Sequence, residues 1–162
     1  MPKKVRNPPQ AEHLMTSARS LGNYDLAATL ADLIDNSITA GATAITLKCD
    51  YKNGDAEIGV LDDGDGMTEK QLQEAMRPAS THPDSERSSD DLGRFGWGLK
   101  SASFSQCRKF TVVTRRNNVL NGASWDLDDI TDWNMTTYNK DELSSLCDPA
   151  LLDAIDESPN GS

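Results

Sequence analysis

The sequence predicts an α+β fold, a two-layer sandwich with helices packed on one face of a mixed, mostly antiparallel sheet. Three observations lead to this class. Two helical segments come first, then two alternating segments joined by the strong hairpin pair Asn53-Gly54. A further helix and more short strands follow, and no segment repeats another. This order of elements therefore predicts a layer of helices packed on a layer of mostly antiparallel strands.

The predicted elements run in order along the chain, after a polar, proline-containing start at residues 1–9 that we expect to be a disordered tail. They are a helix at 10–21, a helix at 24–41, strands at 43–51 and 57–61, a helix at 68–76, a helical stretch after residue 98, strands at 110–114 and 119–127, and one or two short helices within 140–155. We expect a frayed end at residues 157–162.

Local signals support these boundaries. Asn23 is expected to cap the second helix and Gly41 to end it, since Asn favours the N-cap and Gly the position after a helix. Thr68 is expected to cap the third helix. Asn117-Asn118 permits a turn between two strands, and Asp148-Pro149 separates the last two helices.

Composition limits the classes of function. The formal net charge is −10, and the part of the chain from Trp125 onward holds ten acidic residues and one basic residue. A nucleic-acid-binding domain is usually basic overall, so direct nucleic-acid binding is not indicated. No apolar run approaches the roughly 20 residues of a membrane span. Three scattered cysteines without a CxxC pair favour a cytoplasmic protein.

The helix at 24–41 carries an unusual polar row. Its members recur at spacings of three and four and include carboxylates, an amide and hydroxyls but no Lys or Arg: Asp25, Thr29, Asp32, Asn36 and Thr39. The apolar side is expected to hold Leu26, Leu30, Leu33, Ile34 and Ile38. The row suits a ligand, metal or water, and the alternative is an ordinary amphipathic helix with a short polar side.

A glycine-rich segment, Gly93-x-x-Gly96-x-Gly98-Leu99-Lys100, precedes a helical stretch. Backbone N–H groups at a helix N-terminus bind anions, and glycine allows a phosphate to approach closely. The P-loop requires Gly directly before Lys, but Leu99 intervenes here. The dinucleotide fingerprint has the opposite glycine spacing and follows a strand. Neither of these two phosphate motifs fits.

The segment DDGDGM, residues 62–67, follows a predicted strand. A calcium loop with Gly66 at its sixth position would begin at Leu61, which is no carboxylate. A plain turn is one interpretation, because Asp and Gly are good turn formers. The functional interpretation is a backbone that passes close to a flat ligand, with Asp62 directed at a donor such as an exocyclic amine.

Together, and in this order, the Asp-x-x-x-Asn helix, DDGDGM, the polar segment 78–92 and GxxGxGLK resemble the GHKL ATPase superfamily, which has the Bergerat nucleotide-binding fold. The resemblance covers about residues 21–113 and is greatest to the MORC, MutL and heat-shock-chaperone branches. It implies an ATP-binding domain at 10–139, with an ATP lid at 78–92. The acidic segment 140–162 would then begin a downstream region.

The resemblance also implies roles for individual residues. Asn36 would ligate Mg²⁺, Asp32 would be the general base that orients the attacking water, and Asp62 would receive the adenine amino group. The adenine-side wall would be Gly64, Gly66 and Met67. The phosphate loop would be Gly93, Arg94, Phe95, Gly96, Trp97, Gly98, Leu99 and Lys100. The implied ligands are ATP or ADP with Mg²⁺.

Two departures from the family pattern bear on turnover. Asp32 stands where the family has Glu, so its carboxylate lies about 1.5 Å further back. The later Gly-Thr strand and a second, transducer domain cannot be placed in the sequence. The resemblance favours slow ATP hydrolysis with lid closure and homodimerisation. The alternatives are a nucleotide-gated module that presents surfaces to protein partners with little turnover, and a structural domain with a decayed site.

Overall fold

The structure, a computed structural model, describes residues 10–18, 25–52, 54–78, 103–130, 132–147, 149–157 and 160–161. In chain order the elements of this described part are α1 (Ala11–Ala18), α2 (Leu26–Thr39), β1 (Ile45–Lys52), β2 (Asp55–Asp62), α3 (Glu69–Met76), α4 (103–106), β3 (Lys109–Arg116), β4 (Val119–Asp126), β5 (Thr136–Tyr138), α5 (Lys140–Leu146) and α6 (Pro149–Glu157). None of the described helices is long and apolar enough to cross a bilayer.

The described strands form two antiparallel sheets. β1 and β2 make a hairpin in which Cys49 lies opposite Ile58, and β3, β4 and β5 make a second sheet in that order. The predicted α+β class with antiparallel strands is confirmed. The described part of the chain divides its strands between two sheets, whereas the sequence suggested one.

Turn chemistry accounts for both long hairpins. Gly54 takes a φ of 95° between β1 and β2, a conformation that costs glycine little. Asn117 and Asn118, between β3 and β4, have φ values of 52° and 64°, and Asn is among the few residues that tolerate this region. Positive φ at both central residues is the type I′ arrangement that matches strand twist. Both predicted turns therefore join paired strands.

Capping boxes begin two of the helices. The Thr68 side chain accepts from the Gln71 backbone N–H, and the Gln71 side chain accepts from the Thr68 N–H, so the predicted cap is confirmed. Asn139 and Glu142 make the same exchange at the start of α5. Each box satisfies two N–H groups that a helix start leaves without an intrahelical partner.

The main core lies between α3, α4 and the β3–β4 hairpin. Its fully buried members include Leu72 and Met76 of α3, Phe104 of α4, and Trp125 of β4. The rings of Phe104 and Phe110 meet edge to face, with centroids 4.9 Å apart. The Trp125 indole donates to the carbonyl of Met76 at 2.9 Å, which satisfies an acceptor at the end of α3.

Helix α5 packs on β4 with Leu143 against Gly122. Leu143 is fully buried, and a Cβ added to Gly122 would lie 2.5 Å from its Cδ2 atom. Side chains alternate along a strand, so Gly122 and the core residue Ala123 face opposite sides of β4. Gly122 therefore provides the space that lets α5 approach the side of β4 away from the main core.

Three details differ from the sequence-based expectations. The strand β5 was not predicted, because three residues carry too little periodicity. Helix α2 begins after Asp25 rather than Asn23, since the Asp25 carboxylate accepts from Ala28 N–H at 2.8 Å. The chain end is not frayed throughout, because Gly161 forms a bridge with Arg115. The predicted separation of α5 from α6 is confirmed.

Candidate functional site

Helix α2 carries Asp32 and Asn36 one turn apart, so both side chains lie on one face. Asp32 is half-buried and Asn36 is exposed. The side chains of α2 that are buried are not those of its predicted apolar side. Its buried side chains are Thr29 and Ser37, whereas two predicted apolar residues, Leu26 and Ile38, are 43% and 54% exposed. The protein therefore contacts α2 partly through hydroxyl groups, which the apolar pattern does not indicate.

Asp62, at the end of β2, is attached to α2. The Ser37 hydroxyl donates to Asp62 Oδ2 at 2.9 Å, and the Gly64 N–H donates to Asp62 Oδ1 at 3.0 Å. Each carboxylate oxygen has two lone pairs, so the half-buried group keeps capacity for a further donor. Both contacts fix the orientation of the carboxylate. The residue predicted to receive an amine is thus held by the helix that carries Asp32 and Asn36.

The neighbouring Asp63 has a different environment. Its carboxylate accepts from the Thr43 hydroxyl at 2.6 Å, the Thr43 N–H at 2.7 Å and the Ala44 N–H at 2.8 Å. These hydrogen bonds, the one from the Thr43 side chain first, lower the pKa of Asp63 below its ordinary value, because they favour the charged form. Asp63 anchors the start of β1, which leaves Asp62 as the better candidate to contact a ligand.

The two glycines of the 62–67 segment lie against the chain's own backbone. A Cβ added at Gly64 would come within 2.9 Å of the Ala40 carbonyl oxygen at the end of α2. Gly66 has a φ of 63°, and an added Cβ would overlap the carbonyl oxygen of Arg115. The segment is thus packed between α2 and β3. These glycines have a packing role whether or not they also face a ligand.

Side chains from β3 and β4 hold the end of this segment. The Met67 N–H donates to the Thr114 hydroxyl at 2.8 Å, and the Arg116 guanidinium donates to the Gly66 carbonyl at 3.2 Å. The Asn121 amide donates to the Met67 carbonyl at 3.4 Å. Thr114 is fully buried, and Met67 packs against the main core. Residues 66–67 are therefore fixed to the second sheet.

Residues 160–161 lie between the end of β2 and strand β3. Arg115 N–H donates to Gly161 O at 2.8 Å, and Gly161 N–H donates to Arg115 O at 3.0 Å. A Cβ added at Gly161 would lie 2.5 Å from the carbonyl oxygen of Asp62. The Asn160 side chain accepts from Asn117 N–H at 3.0 Å. Gly161 is thus in close contact with the backbone of both Asp62 and Arg115.

The predicted phosphate loop, Gly93, Arg94, Phe95, Gly96, Trp97, Gly98, Leu99 and Lys100, lies outside the described residues, as does the predicted lid after Pro78. The helical residues 103–106 of α4, which follow the loop, are described, and they contact α2. The hydroxyls of Ser105 and buried Thr29 lie 3.3 Å apart. The segment that follows the glycines is therefore next to the helix of Asp32 and Asn36.

The basic residues around β3 have partners within the protein. Arg108 makes a forked contact with Asp128, at 2.8 and 2.5 Å from Oδ1, and Lys109 lies 3.5 Å from Asp126. Arg115 donates to the Ile155 carbonyl at 3.3 Å. These contacts attach the strand to its neighbours.

Three residues at the site were missed from the sequence: Ser37, Thr114 and Gly161. Ser37 did give a signal, because it is a polar residue on the predicted apolar side, three residues after Ile34 and one before Ile38. Thr114 fell inside a plain strand pattern, and Gly161 inside an expected frayed end. Their side-chain hydrogen bonds join residues 25 to 47 positions apart, which a local pattern does not encode.

Within the described residues, no three His, Cys, Asp or Glu side chains gather into a metal-binding group. A groove of about 430 Å³ lies between α3, α5 and β4. Its lining includes Glu69, Asn121, Tyr138 and Glu142 but none of the predicted site residues. One of its lining residues, Asn121, contacts Met67.

Comparison with known proteins defines the class of this chain. Residues 24–158 match the family of histidine kinase-, DNA gyrase B- and HSP90-like ATPases. The match covers most of the chain, including α2, the 62–67 segment and both sheets, so the chain belongs to this GHKL family. The predicted Bergerat-type fold class and the suspected superfamily are confirmed.

Two similar proteins come from the branches that the sequence resembles. The chain is 30% identical over 91 residues to the ATPase morc-1 of Caenorhabditis elegans, covering 56% of this chain and 10% of that protein. It is 38% identical over 96 residues to the DNA mismatch repair protein MutL of Pelotomaculum thermopropionicum, covering 57% of this chain and 15% of that protein. The matched region therefore spans only a small part of either relative.

Proposed function

We propose that this chain binds ATP with Mg²⁺ and hydrolyses it slowly. One observation carries the proposal beyond family membership: the Asp62 carboxylate is fixed by Ser37 of α2, the helix that bears Asp32 and Asn36. Asp62, which could accept from an adenine amine, is thus hydrogen-bonded to the helix that carries Asp32 and Asn36, the residues proposed to act at the phosphates. In a GHKL ATPase these two ends of the nucleotide must be held together.

Base recognition falls to Asp62 and the segment after it. The remaining acceptor capacity of Asp62 suits the exocyclic amine of adenine, and guanine presents a carbonyl oxygen at that position. Gly64, Gly66 and Met67 form the adenine-side wall in this proposal. Because Gly66 and Met67 are fixed to β3 and β4, the wall is set before the base arrives. Such preorganisation reduces the ordering cost of binding.

Asn36 would hold the metal. Mg²⁺ prefers oxygen ligands and keeps several waters, so one exposed amide oxygen together with the nucleotide's own phosphates is a suitable donor set. The bound ion would neutralise phosphate charge during transfer. The phosphate loop, residues 93–100, would supply backbone N–H groups and the positive charge of Lys100. The lid at 78–92 would close over the triphosphate, and closure would favour a homodimer.

Asp32 would orient and deprotonate the attacking water. It lies one turn before Asn36, on the same face of α2, and it is half-buried. A general base acts within about 3 Å of the proton it accepts, or through one bridging water. Because an aspartate reaches about 1.5 Å less far than a glutamate, we expect slow turnover that uses a bridging water.

The shorter base favours a second candidate function. A chain that binds ATP or ADP without efficient hydrolysis would act as a nucleotide-gated interaction module. The lid and the acidic segment 140–162 would then present surfaces to protein partners. The division into a tail at 1–9, a nucleotide domain at 10–139 and this acidic segment is part of the same proposal.

Calorimetric titration with ATP and ADP, with and without Mg²⁺, tests the site. The proteins are the wild type, Asn36→Ala, Asp62→Ala and the control Asp65→Ala, which removes an exposed carboxylate from the same loop. We expect saturable binding that Asp62→Ala weakens with or without the metal, and that Asn36→Ala weakens only when Mg²⁺ is present. No binding by the wild type would contradict the proposal.

Phosphate release across a range of protein concentrations separates the two candidates. A rate per chain that rises with concentration would support hydrolysis in a dimer. Intact binding with no release at any concentration would favour the interaction module. In that case proteolysis within residues 78–92 should slow when nucleotide is added, and unchanged cleavage would count against the module.

A further inference from the structure

The segment Gly66–Met67 is held by three side chains of the second sheet, which we call the β3–β4 cradle: Thr114, Arg116 and Asn121. Between them they contact the Gly66 carbonyl, the Met67 N–H and the Met67 carbonyl. Three consecutive backbone polar groups are thus bonded to side chains rather than to a strand ladder. A segment held in this way has a position determined by the cradle residues.

Arg116 has a further contact that extends the cradle. Its guanidinium lies 3.4 Å from Oε1 of Gln71, the same oxygen that accepts from the Thr68 N–H at 3.0 Å and the Thr68 hydroxyl at 2.8 Å. Gln71 belongs to the capping box of α3. One charged side chain therefore ties the end of the 62–67 segment to the start of the next helix.

The start of the segment is held by other contacts, chiefly with α2. Asp62 is fixed by Ser37, and Asp65 N–H donates to the Ala40 carbonyl at 2.9 Å, so residues 62–65 are attached to α2. Residues 66–67 are attached to β3 and β4. The distance between Asp62 and Met67 is therefore set by contacts with α2 at one end and with the second sheet at the other. The affinity for a flat base bound between these residues would therefore depend on both attachments.

The geometry points to Arg116 as a positioning residue for base recognition, acting through the Gly66 carbonyl and supported by Asn121. This inference rests on the proposed function, because it assigns the space beside Asp62 and Met67 to adenine. Arg116 need not contact the nucleotide. Its role is to keep the wall at the separation from Asp62 that lets the adenine amine donate to the carboxylate. Guanine has a carbonyl oxygen in place of that amine, so this geometry favours ATP over GTP.

The test compares ATP and GTP binding by calorimetry for the wild type and Arg116→Met, which keeps an unbranched stem but loses the donors. Arg77→Met is the matched control, because Arg77 is an exposed arginine beyond the other end of α3, 3.1 Å from Glu74. We expect Arg116→Met to lower the affinity for ATP about tenfold, because it removes a hydrogen bond from a charged donor. GTP binding should change by no more than about twofold, since guanine donates no hydrogen bond to Asp62 that a shift of the wall could weaken.

A conservative variant and a second site make the result specific. Arg116→Lys keeps one donor for the Gly66 carbonyl and should restore part of the preference for ATP. Asn121→Ala removes the contact with the Met67 carbonyl and should also reduce the preference for ATP over GTP. If Arg116→Met does not fold, this second variant tests the role of the cradle. A purely structural role would lower the melting temperature and weaken ATP and GTP equally.

The outcomes separate this inference from the proposed function. Wild type that binds no adenine nucleotide would overturn both. Wild type that prefers ATP, with an unchanged ATP-to-GTP ratio in the folded Arg116→Met and Asn121→Ala variants, would overturn only the role of the cradle. A reduced ratio in these variants but not in Arg77→Met would support it.

Discussion

The Ser37 hydroxyl donates a hydrogen bond to Asp62 Oδ2 at 2.9 Å, and this contact joins α2 to the end of β2 across 25 residues of sequence. Ser37 is 4% exposed and Asp62 is half-buried, so the bond is partly shielded from bulk water. It lies next to Asn36 in sequence and next to the proposed adenine position in space. A shift of α2 would therefore reach the Asp62 carboxylate through this bond.

Ser37→Ala should weaken ATP binding by about tenfold, because a hydrogen bond to a charged group contributes roughly 1.5–3 kcal/mol. Ser37→Thr keeps the hydroxyl and should bind more nearly as the wild type does. Thr39→Ala is the matched control, since the Thr39 hydroxyl donates to the Asp35 carbonyl within the same helix. Calorimetry gives the affinities, and equal affinity for Ser37→Ala and wild type would contradict the role of the contact.

The sequence predicted the parts of this fold that depend on neighbouring residues. The cap at Thr68, the turn at Asn117-Asn118 and the hairpin at Gly54 each follow from the chemistry of a few adjacent side chains. The fold class followed from the order of such elements. Family motifs then indicated Asp32, Asn36 and Asp62, whose separate roles stay predictions.

Contacts between distant segments could not be predicted in the same way. The pairing of Gly161 with Arg115 and the attachment of Met67 to Thr114 depend on how the sheets pack, not on local periodicity. The apolar side of α2 was also misjudged at its two ends. Leu26 and Ile38 were expected inward because apolar side chains favour burial, but tertiary packing covers Thr29 and Ser37 instead.

Asp32→Glu should raise the rate of ATP hydrolysis severalfold, because the added methylene carries the carboxylate about 1.5 Å closer to the water. ATP affinity should stay within about twofold, since Asp32 acts on water rather than on the bound ground state. Asp32→Asn is the paired variant and should abolish turnover while retaining binding. Phosphate release and calorimetry measure the two quantities, and a slower Asp32→Glu enzyme with unchanged affinity would argue against a limit set by reach.

Asp63 should make the stability of the folded protein depend on pH, because its carboxylate holds the start of β1. Its pKa in the folded protein is lowered from the ordinary value of 3.8, chiefly by the Thr43 hydroxyl, so its contribution is present above that pH. The contribution is lost as pH falls from about the ordinary value through the lower folded value. The melting temperature of Asp63→Ala should thus lie below that of wild type at pH 7, and the gap should narrow towards pH 3. A constant gap would exclude this linkage, and Asp65→Ala provides the loop control.

Gly161→Ala should destabilise the protein more than Gly54→Ala. Both glycines have positive φ, 146° and 95°, so both substitutions introduce backbone strain. An added Cβ meets nothing within 4 Å at Gly54 but lies 2.5 Å from the Asp62 carbonyl oxygen at Gly161. The extra cost should be about 1–3 kcal/mol. Urea unfolding of the two variants measures the loss in free energy of unfolding. Equal losses would show that the protein accommodates the added Cβ near Asp62 without further destabilisation.

Cys147 should react with iodoacetamide more slowly than the exposed Cys49. Burial, and then the negative charge of Glu57, raise the pKa of the Cys147 thiol, which leaves less of the reactive thiolate at pH 8. Glu57→Gln removes the charge but not the burial, so it should raise the Cys147 rate only modestly and leave Cys49 unchanged. Mass spectrometry of each cysteine peptide over time gives both rates in one sample. A Cys147 rate that equals the Cys49 rate in the native protein would mean that α5 opens readily, whereas a slow rate that becomes fast in urea would show that packing of the helix protects the thiol.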